Sequence, residues 1–208
     1  MMLLAATRNL LAVCLLLCSS LAFAAHPAEA FVETTSNDVL AILKRESRAG
    51  NEKVVRDQIM ARVLPHFDFT RMTGLAVGKH WRSASPQQQQ ALTQEFKTLL
   101  IYSYANALTA NKVDAINVKP VTSGTSDSGE VTVLTEVMVS GKKPITIDYR
   151  LSPSGSSWKV FDVMVAGASI VTTYRNSFNQ SISQNGVDGL IKQLSDRNQQ
   201  LAKGATGS

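Results

Sequence analysis

The spacing of apolar residues changes at Asn111 and changes back after Val165, and this double switch constrains the chain more than any single motif. Between those points apolar residues recur at alternate positions within short segments separated by polar turns. Val131, Val133, Thr135, Val137 and Val139 share one face of a segment, and Ile145, Ile147, Tyr149 and Leu151 alternate with Thr146, Asp148 and Arg150 in the next. Alternation puts such side chains on one face of a strand, whereas the i, i+3, i+4 spacing on either side puts them on one stripe of a helix. Helices, then consecutive strands, then helices predict an α+β fold rather than a doubly wound sheet. The strands are expected at 113–122, 131–139, 145–151 and 158–165, an antiparallel meander of about four, with a polar loop at Gly124–Gly129 and turns at Ser140–Pro144 and Ser152–Gly155.

The flanking segments read as amphipathic helices. Asn37–Leu64 carries Val39, Leu40, Ile42 and Leu43 and then, past a break at Gly50-Asn51, Val54, Val55, Ile59 and Val63 until Pro65. A short helix is expected over Phe69–Val77, with Gly78 as its stop. Ser85-Pro86 opens the clearest helix, a capping residue followed by a first-turn proline, with Leu92, Phe96, Leu99, Leu100, Tyr104, Ala107 and Leu108 on its apolar face. Gln87–Gln90 reads as its solvated first turn. Residues 169–183 carry Ile170, Val171, Tyr174 and Phe178; Gly186 ends that helix, Val187–Leu201 is the last one, and the tail after Ala202 is expected to fray.

The first residues predict export. Arg8, the apolar run Leu10–Leu17 and the small-x-small site Ala22-Phe23-Ala24 form a cleavable secretory signal, too short an apolar run for the ~20 residues that span a bilayer. Leu17 stands where lipidation of Cys18 would need a small residue. Both cysteines, Cys14 and Cys18, leave with the signal, so no disulfide is expected in the remaining chain, which fits a bacterial periplasm. Residues 25–201 are read as one domain, with a helical part at 35–110, the sheet at 113–165 and C-terminal helices at 168–201, before a flexible tail at 202–208. The net charge of +5 is spread without a basic run, which argues against nucleic acid as a partner. Lys79, Arg82, Lys142 and Lys143 are candidate docking charges, although solvated surface is the better reading of each.

Catalytic equipment is sparse. No two of His26, His66 and His80 have metal-site spacing, His26 is read as a mobile residue beside the cleavage site, and His66 with Asp68 is more readily a turn cap than an acid–base pair. The stretch WKVFDVMVAGASIV (158–171) places Ser169 at a strand-to-helix turn, as in a hydrolase. However, Val171 stands where the nucleophile elbow needs a glycine, and no histidine follows. Ser169 is therefore read as a helix cap, Gly167 as a residue of close approach or positive φ, and Asp162 as a structural carboxylate that lies on the outer face or binds backbone N–H groups at the bend.

Two long blocks resemble the toluene-tolerance, or MlaC, family. The first is Phe67-Asp68-Phe69-Thr70-Arg71-Met72 with Leu75-Ala76-Val77-Gly78-Lys79-His80-Trp81 and the Ser85-Pro86 helix to Leu108. The second is Trp158–Val163 with Gly167-Ala168-Ser169-Ile170-Val171, Tyr174-Arg175 and Phe178, and the closing Gly186-Val187-Asp188-Gly189-Leu190-Ile191 is also similar. The chain departs from the relatives at Met164-Val165-Ala166, where an acidic residue often precedes the glycine.

The resemblance implies a twisted antiparallel sheet of the nuclear-transport-factor type packed with a helical lobe. It also implies a non-enzymatic monomeric periplasmic carrier with phospholipid as cargo and no cofactor. Its partners would be an outer-membrane lipoprotein complex and an inner-membrane MCE-domain protein with its ABC transporter, and its role the maintenance of outer-membrane lipid asymmetry. Periodicity and the resemblance together nominate Phe96, Leu100, Tyr104, Val133, Val137, Ile147, Tyr149, Val163, Ile170 and Tyr174 as the lining of a cavity between sheet and helices. That cavity is expected at or above the top of the usual range of about 300–1,000 Å³. An exported adaptor of an ABC system that carries no ligand, and a hydrolase using Ser169 or His66, are the alternatives.

Overall fold

The computed structural model describes residues 25–46, 52–109, 112–121 and 129–206. The expected signal peptide, the Gly50-Asn51 break and most of the Gly124–Gly129 loop lie outside the described residues. Four helices come first: α1 (Pro27–Glu46), α2 (Glu52–Val63), α3 (Phe69–Val77) and α4 (Pro86–Thr109). The strands β1 (Val113–Val118), β2 (Val131–Val139), β3 (Ile145–Ser154), β4 (Ser157–Val165) and β5 (Ala168–Ser169) follow, and then α5 (Ile170–Thr206). The sheet is antiparallel, and each strand pairs with the next in sequence. The α+β order and the meander are as expected, with one strand more: β5 is two residues long, too short to show any alternation.

Three other boundaries differ from the sequence reading, each for a local reason. The first helix starts at Pro27, ten residues before Asn37. Proline suits a first turn, and His26 caps it, its Nδ1 accepting from the Ala28 N–H at 3.2 Å. His26 is thus placed rather than mobile, and its ring lies 5.5 Å from that of Trp158. Strand β3 runs through the expected turn to Ser154, which pairs with Ser157 and leaves only Gly155-Ser156 as the loop. Finally, α5 continues past Ala202 to Thr206.

Other local signals hold. Gly186 has φ 72° and ψ 179° and breaks α5 into two helices, a conformation that side chains resist. Ser85 and Gln88 form a reciprocal capping box: the Gln88 N–H donates to Ser85 Oγ at 3.2 Å, and the Ser85 N–H to Gln88 Oε1 at 3.0 Å.

Two main cores result. In the helical lobe Met72, Ala76, Val77, Leu92, Phe96, Phe178 and Leu190 interlock from α3, α4 and α5. On one face of the sheet Val131, Val133, Leu151, Val160 and Val163 pack under Ala28 and Val32 of α1. Phe67 and Ile170 touch both cores and join them.

Candidate functional site

The face under α1 is built by register. Val133, Tyr149 and Val163 stand abreast on β2, β3 and β4, and Thr135, Ile147 and Val165 form the next row. Between Leu151 and Arg150 the register of β4 shifts by one residue, which returns Val163 and Val165 to the side of the apolar face. Thr135 would be a polar interruption, but its hydroxyl donates to the Ile147 carbonyl and is silenced within the sheet.

Tyr149 carries the most information here. Burial, and secondarily the Asp148 carboxylate, push its phenol up to about 12. Yet the residue is only half-buried by accessible area, and its hydroxyl has no hydrogen-bond partner among the described residues. The side chain is thus heavily surrounded by protein while part of its surface stays accessible. Ile147, Val165, Phe31, Trp158 and Ile170 are likewise partly buried around the same core.

A buried carboxylate fixes the sheet to the helix that closes it. Asp162, 2% exposed, accepts from the Val163 N–H at 2.9 Å, the Val171 N–H at 3.2 Å and the Ser169 hydroxyl at 2.7 Å, with Arg150 at 3.8 Å. Ser169 Oγ also accepts from the Thr172 N–H at 3.0 Å, so it is the cap the sequence indicated and has no histidine among its partners. Chain reversal occurs at Ala166 (φ 49°) and Gly167 (φ 83°), where an open bend with positive φ is what glycine permits. The carboxylate therefore serves structure, binding N–H groups at the bend.

A second tie lies at the other end of the lobe. Phe67 bridges Val160, and the Asp68 N–H donates to the Val160 carbonyl at 2.8 Å. Asp68 Oδ1 caps α3, accepting from the Arg71 N–H at 2.9 Å. Arg71, paired with Glu130, then lies 3.7 Å over the Phe161 ring, which Arg150 also approaches at 4.9 Å. Asp68 is thus a cap and not the partner of His66. The His66 ring meets Arg62 Nη1 at 3.0 Å and stands edge-on to Phe31 at 5.0 Å, and burial, Arg62 and Lys159 lower its pKa while Asp38 opposes them.

The ten nominated residues fall into two groups. Val133, Ile147, Tyr149 and Val163 come together on the sheet face, and Val137 lies farther along it. Phe96, Leu100 and Tyr174 belong to the helical core, where Phe96, Tyr174 and Phe178 form an aromatic cluster with ring separations of 5.0–5.5 Å. Tyr104 is 40% exposed, and burial, helped by Tyr174, raises its pKa. Ile170 connects the groups.

Sequence reasoning missed Ala28, Phe31, Val32 and Phe67 as parts of this face. The signal was available: residues 28, 31 and 32 have i, i+3, i+4 spacing directly after a first-turn proline.

The comparisons with known proteins agree with this architecture. The sequence matches the family described as MlaC protein over residues 33–196. It is 28% identical over 171 residues to the toluene tolerance protein ttg2D of Pseudomonas putida, across 81% of this chain and 79% of that one. It is 22% identical over 135 residues to the intermembrane phospholipid transport system binding protein MlaC of Haemophilus influenzae, across 64% of this chain and 63% of that one. Among solved structures, the phospholipid-binding protein from Ralstonia solanacearum, in complex with a phospholipid, superposes with a TM-score of 0.75 at 38% identity, covering 85% of this chain and 99% of that one. The matched span takes in the sheet face, the Asp162 tie and the Phe67–Asp68 tie together, and with that extent of shared pattern the chain belongs to the MlaC family.

Proposed function

We propose that this protein is a periplasmic phospholipid carrier. Its cargo's acyl chains lie in the recess under α1, and it shuttles lipid between an outer-membrane lipoprotein complex and an inner-membrane MCE-domain protein with its ABC transporter, sustaining outer-membrane lipid asymmetry. The observation that carries this reading is the apolar three-strand face under α1, on which Ile147 and Tyr149 keep accessible surface. Support comes from the Ralstonia relative, which holds a phospholipid in the same fold.

The physical task is plain. Each buried CH₂ is worth about 0.8 kcal/mol, so exposing two ordinary acyl chains to water costs roughly 20 kcal/mol. A dry recess removes that barrier without a catalyst, and the protein is accordingly not an enzyme. The sheet residues Val133, Val137, Ile147, Tyr149 and Val163 with Ile170 form the lipid-facing wall. Phe96, Leu100, Tyr104 and Tyr174 form the helical side toward which the recess widens when lipid enters. The chain works as a monomer, a single domain after removal of residues 1–24.

Lipid analysis of organic extracts from protein purified from cells tests the reading. Phospholipid near one equivalent is expected, and Ile147→Trp should reduce it several-fold while circular dichroism stays native. Absence of lipid from the unaltered protein, with stability unchanged by delipidation, would favour the ligand-free adaptor and end the carrier reading.

A further inference from the structure

The helical lobe carries a second concavity, a cleft of about 750 Å³, formed where the turn Gly78–Arg82 meets α5. Trp81 fixes this turn against α3: a Cβ built on Gly74 would come within 3.2 Å of the indole nitrogen, so ring and helix backbone are in close contact. The turn presents Lys79, His80 and Arg82 to the cleft, and Arg175 enters from α5. One Arg175 donor, Nε, is used on the Leu75 carbonyl at 2.9 Å, which holds the guanidinium in place with its other N–H groups still to satisfy.

The cleft has no carboxylate in its lining, and none of the cations Lys79, Arg82 and Arg175 forms an ion pair among the described residues. Three positive charges in one concavity, two of them on the exposed Lys79 and Arg82, give it a positive potential that favours an anion. Two lining residues also hold buried polar atoms without partners among the described residues, His80 Nε2 and Asn179 Oδ1. The Asn179 amide is oriented, because its Nδ2 donates to the Arg175 carbonyl at 2.9 Å. The orphan atom is therefore an acceptor awaiting a donor, and folded proteins rarely leave such atoms unpaired.

The geometry points to a binding site for a phosphate ester with an adjacent hydroxyl or ammonium group. The phosphate oxygens accept from Lys79, Arg82 and Arg175, and the adjacent donor pairs with Asn179 Oδ1. Three cations around one concavity match the three peripheral oxygens of a phosphate better than the two of a carboxylate. Free glycerol phosphate and the headgroup of a phospholipid in a membrane share this chemistry. The site is separate from the apolar recess and goes beyond the carrier reading.

Nuclear magnetic resonance titration of the full-length mature protein at constant ionic strength tests it. The probes are sn-glycerol 3-phosphate, inorganic phosphate, a glutamate-rich peptide and phosphatidylglycerol vesicles. Glycerol 3-phosphate should shift the Trp81 indole and Asn179 amide signals saturably, several-fold more tightly than inorganic phosphate. The double variant Lys79→Gln, Arg82→Gln changes exposed side chains, should keep its melting temperature and should bind at least tenfold more weakly. Asn179→Leu should remove the preference for the glycerol ester over phosphate. Saturation by the soluble ester identifies a free ligand, whereas a response to vesicles alone that the double variant abolishes identifies a headgroup. Equal, non-saturating responses to every anion, a preference for the peptide, or an unchanged response in the double variant would overturn the site.

Discussion

The helical lobe and the sheet face bury similar side chains in different ways. In the lobe, Phe96, Leu92, Val77 and Ala76 have no accessible surface, and rings from two helices pack edge to face around Phe96. On the sheet, Val133 is equally sealed, but Tyr149 in the same row and Ile147 in the neighbouring one keep accessible area although α1 covers the face. The lobe is a finished core, whereas part of the sheet face keeps accessible surface. Similar apolar side chains are thus sealed in one region and partly accessible in the other. Helices α3, α4 and α5 together build the core around Phe96, whereas the sheet face packs mainly under α1, with Phe67 and Ile170 beside it.

The largest effect should come from truncation in the finished core. Phe96→Ala removes a ring whose neighbours cannot close the gap and should lower unfolding free energy by about 3–5 kcal/mol. Ile147→Ala, on a face where the side chain already keeps accessible surface, should cost only about 1–2 kcal/mol, below the usual range for such a truncation. Urea denaturation of both variants in lipid-free protein gives the comparison directly. Equal losses would mean that Ile147 is as tightly packed as Phe96, and the contrast would disappear.

Asp162 comes next, because it joins the two regions. Its carboxylate holds the first turn of α5 against β4 through Val171 and Ser169. Asp162→Ala leaves those donors unpaired and should cost about 2–3 kcal/mol by the same urea measurement. The sheet and the lobe should also become less cooperative, with hydrogen exchange faster at Val171 than at Val133. A uniform change across both regions would show that the tie is not what couples them.

How far this was legible follows from the same contrast. Alternation over Val131–Val139 specified β2 and its buried face, since period 2 depends only on neighbours along the strand. The Ser85 and Ser169 caps and the Gly186 break were readable because each satisfies a local backbone need. Strand β5 and the start of α1 were not: two residues carry no period, and Pro27 lay in the shadow of an expected cleavage site. For the candidate site, the sheet residues could be grouped by parity. Whether Phe96 or Tyr149 borders open space could not, because that depends on which helices reach across the chain, and apolar faces look alike in sequence whether they meet a helix or a hollow.

The smallest effect distinguishes an enclosed recess from a shallow groove. The Tyr149 hydroxyl has no protein partner among the described residues, so Tyr149→Phe should change stability at pH 7 by less than about 0.5 kcal/mol. Its ionisation should nevertheless stand apart. The chain has four tyrosines, and a spectrophotometric titration should show one phase near pH 12 that Tyr149→Phe removes. The sign of the linkage follows from a folded-state pKa raised above the unfolded value of 10. Below pH 10 the neutral phenol leaves full stability, and between pH 10 and about 12 the unfolded chain ionises first and stability falls with rising pH. The Phe variant should lose that part of the alkaline slope. If Tyr149 instead titrates with the exposed tyrosines, water reaches the ring freely, and the sheet face is an open surface rather than a sheltered wall.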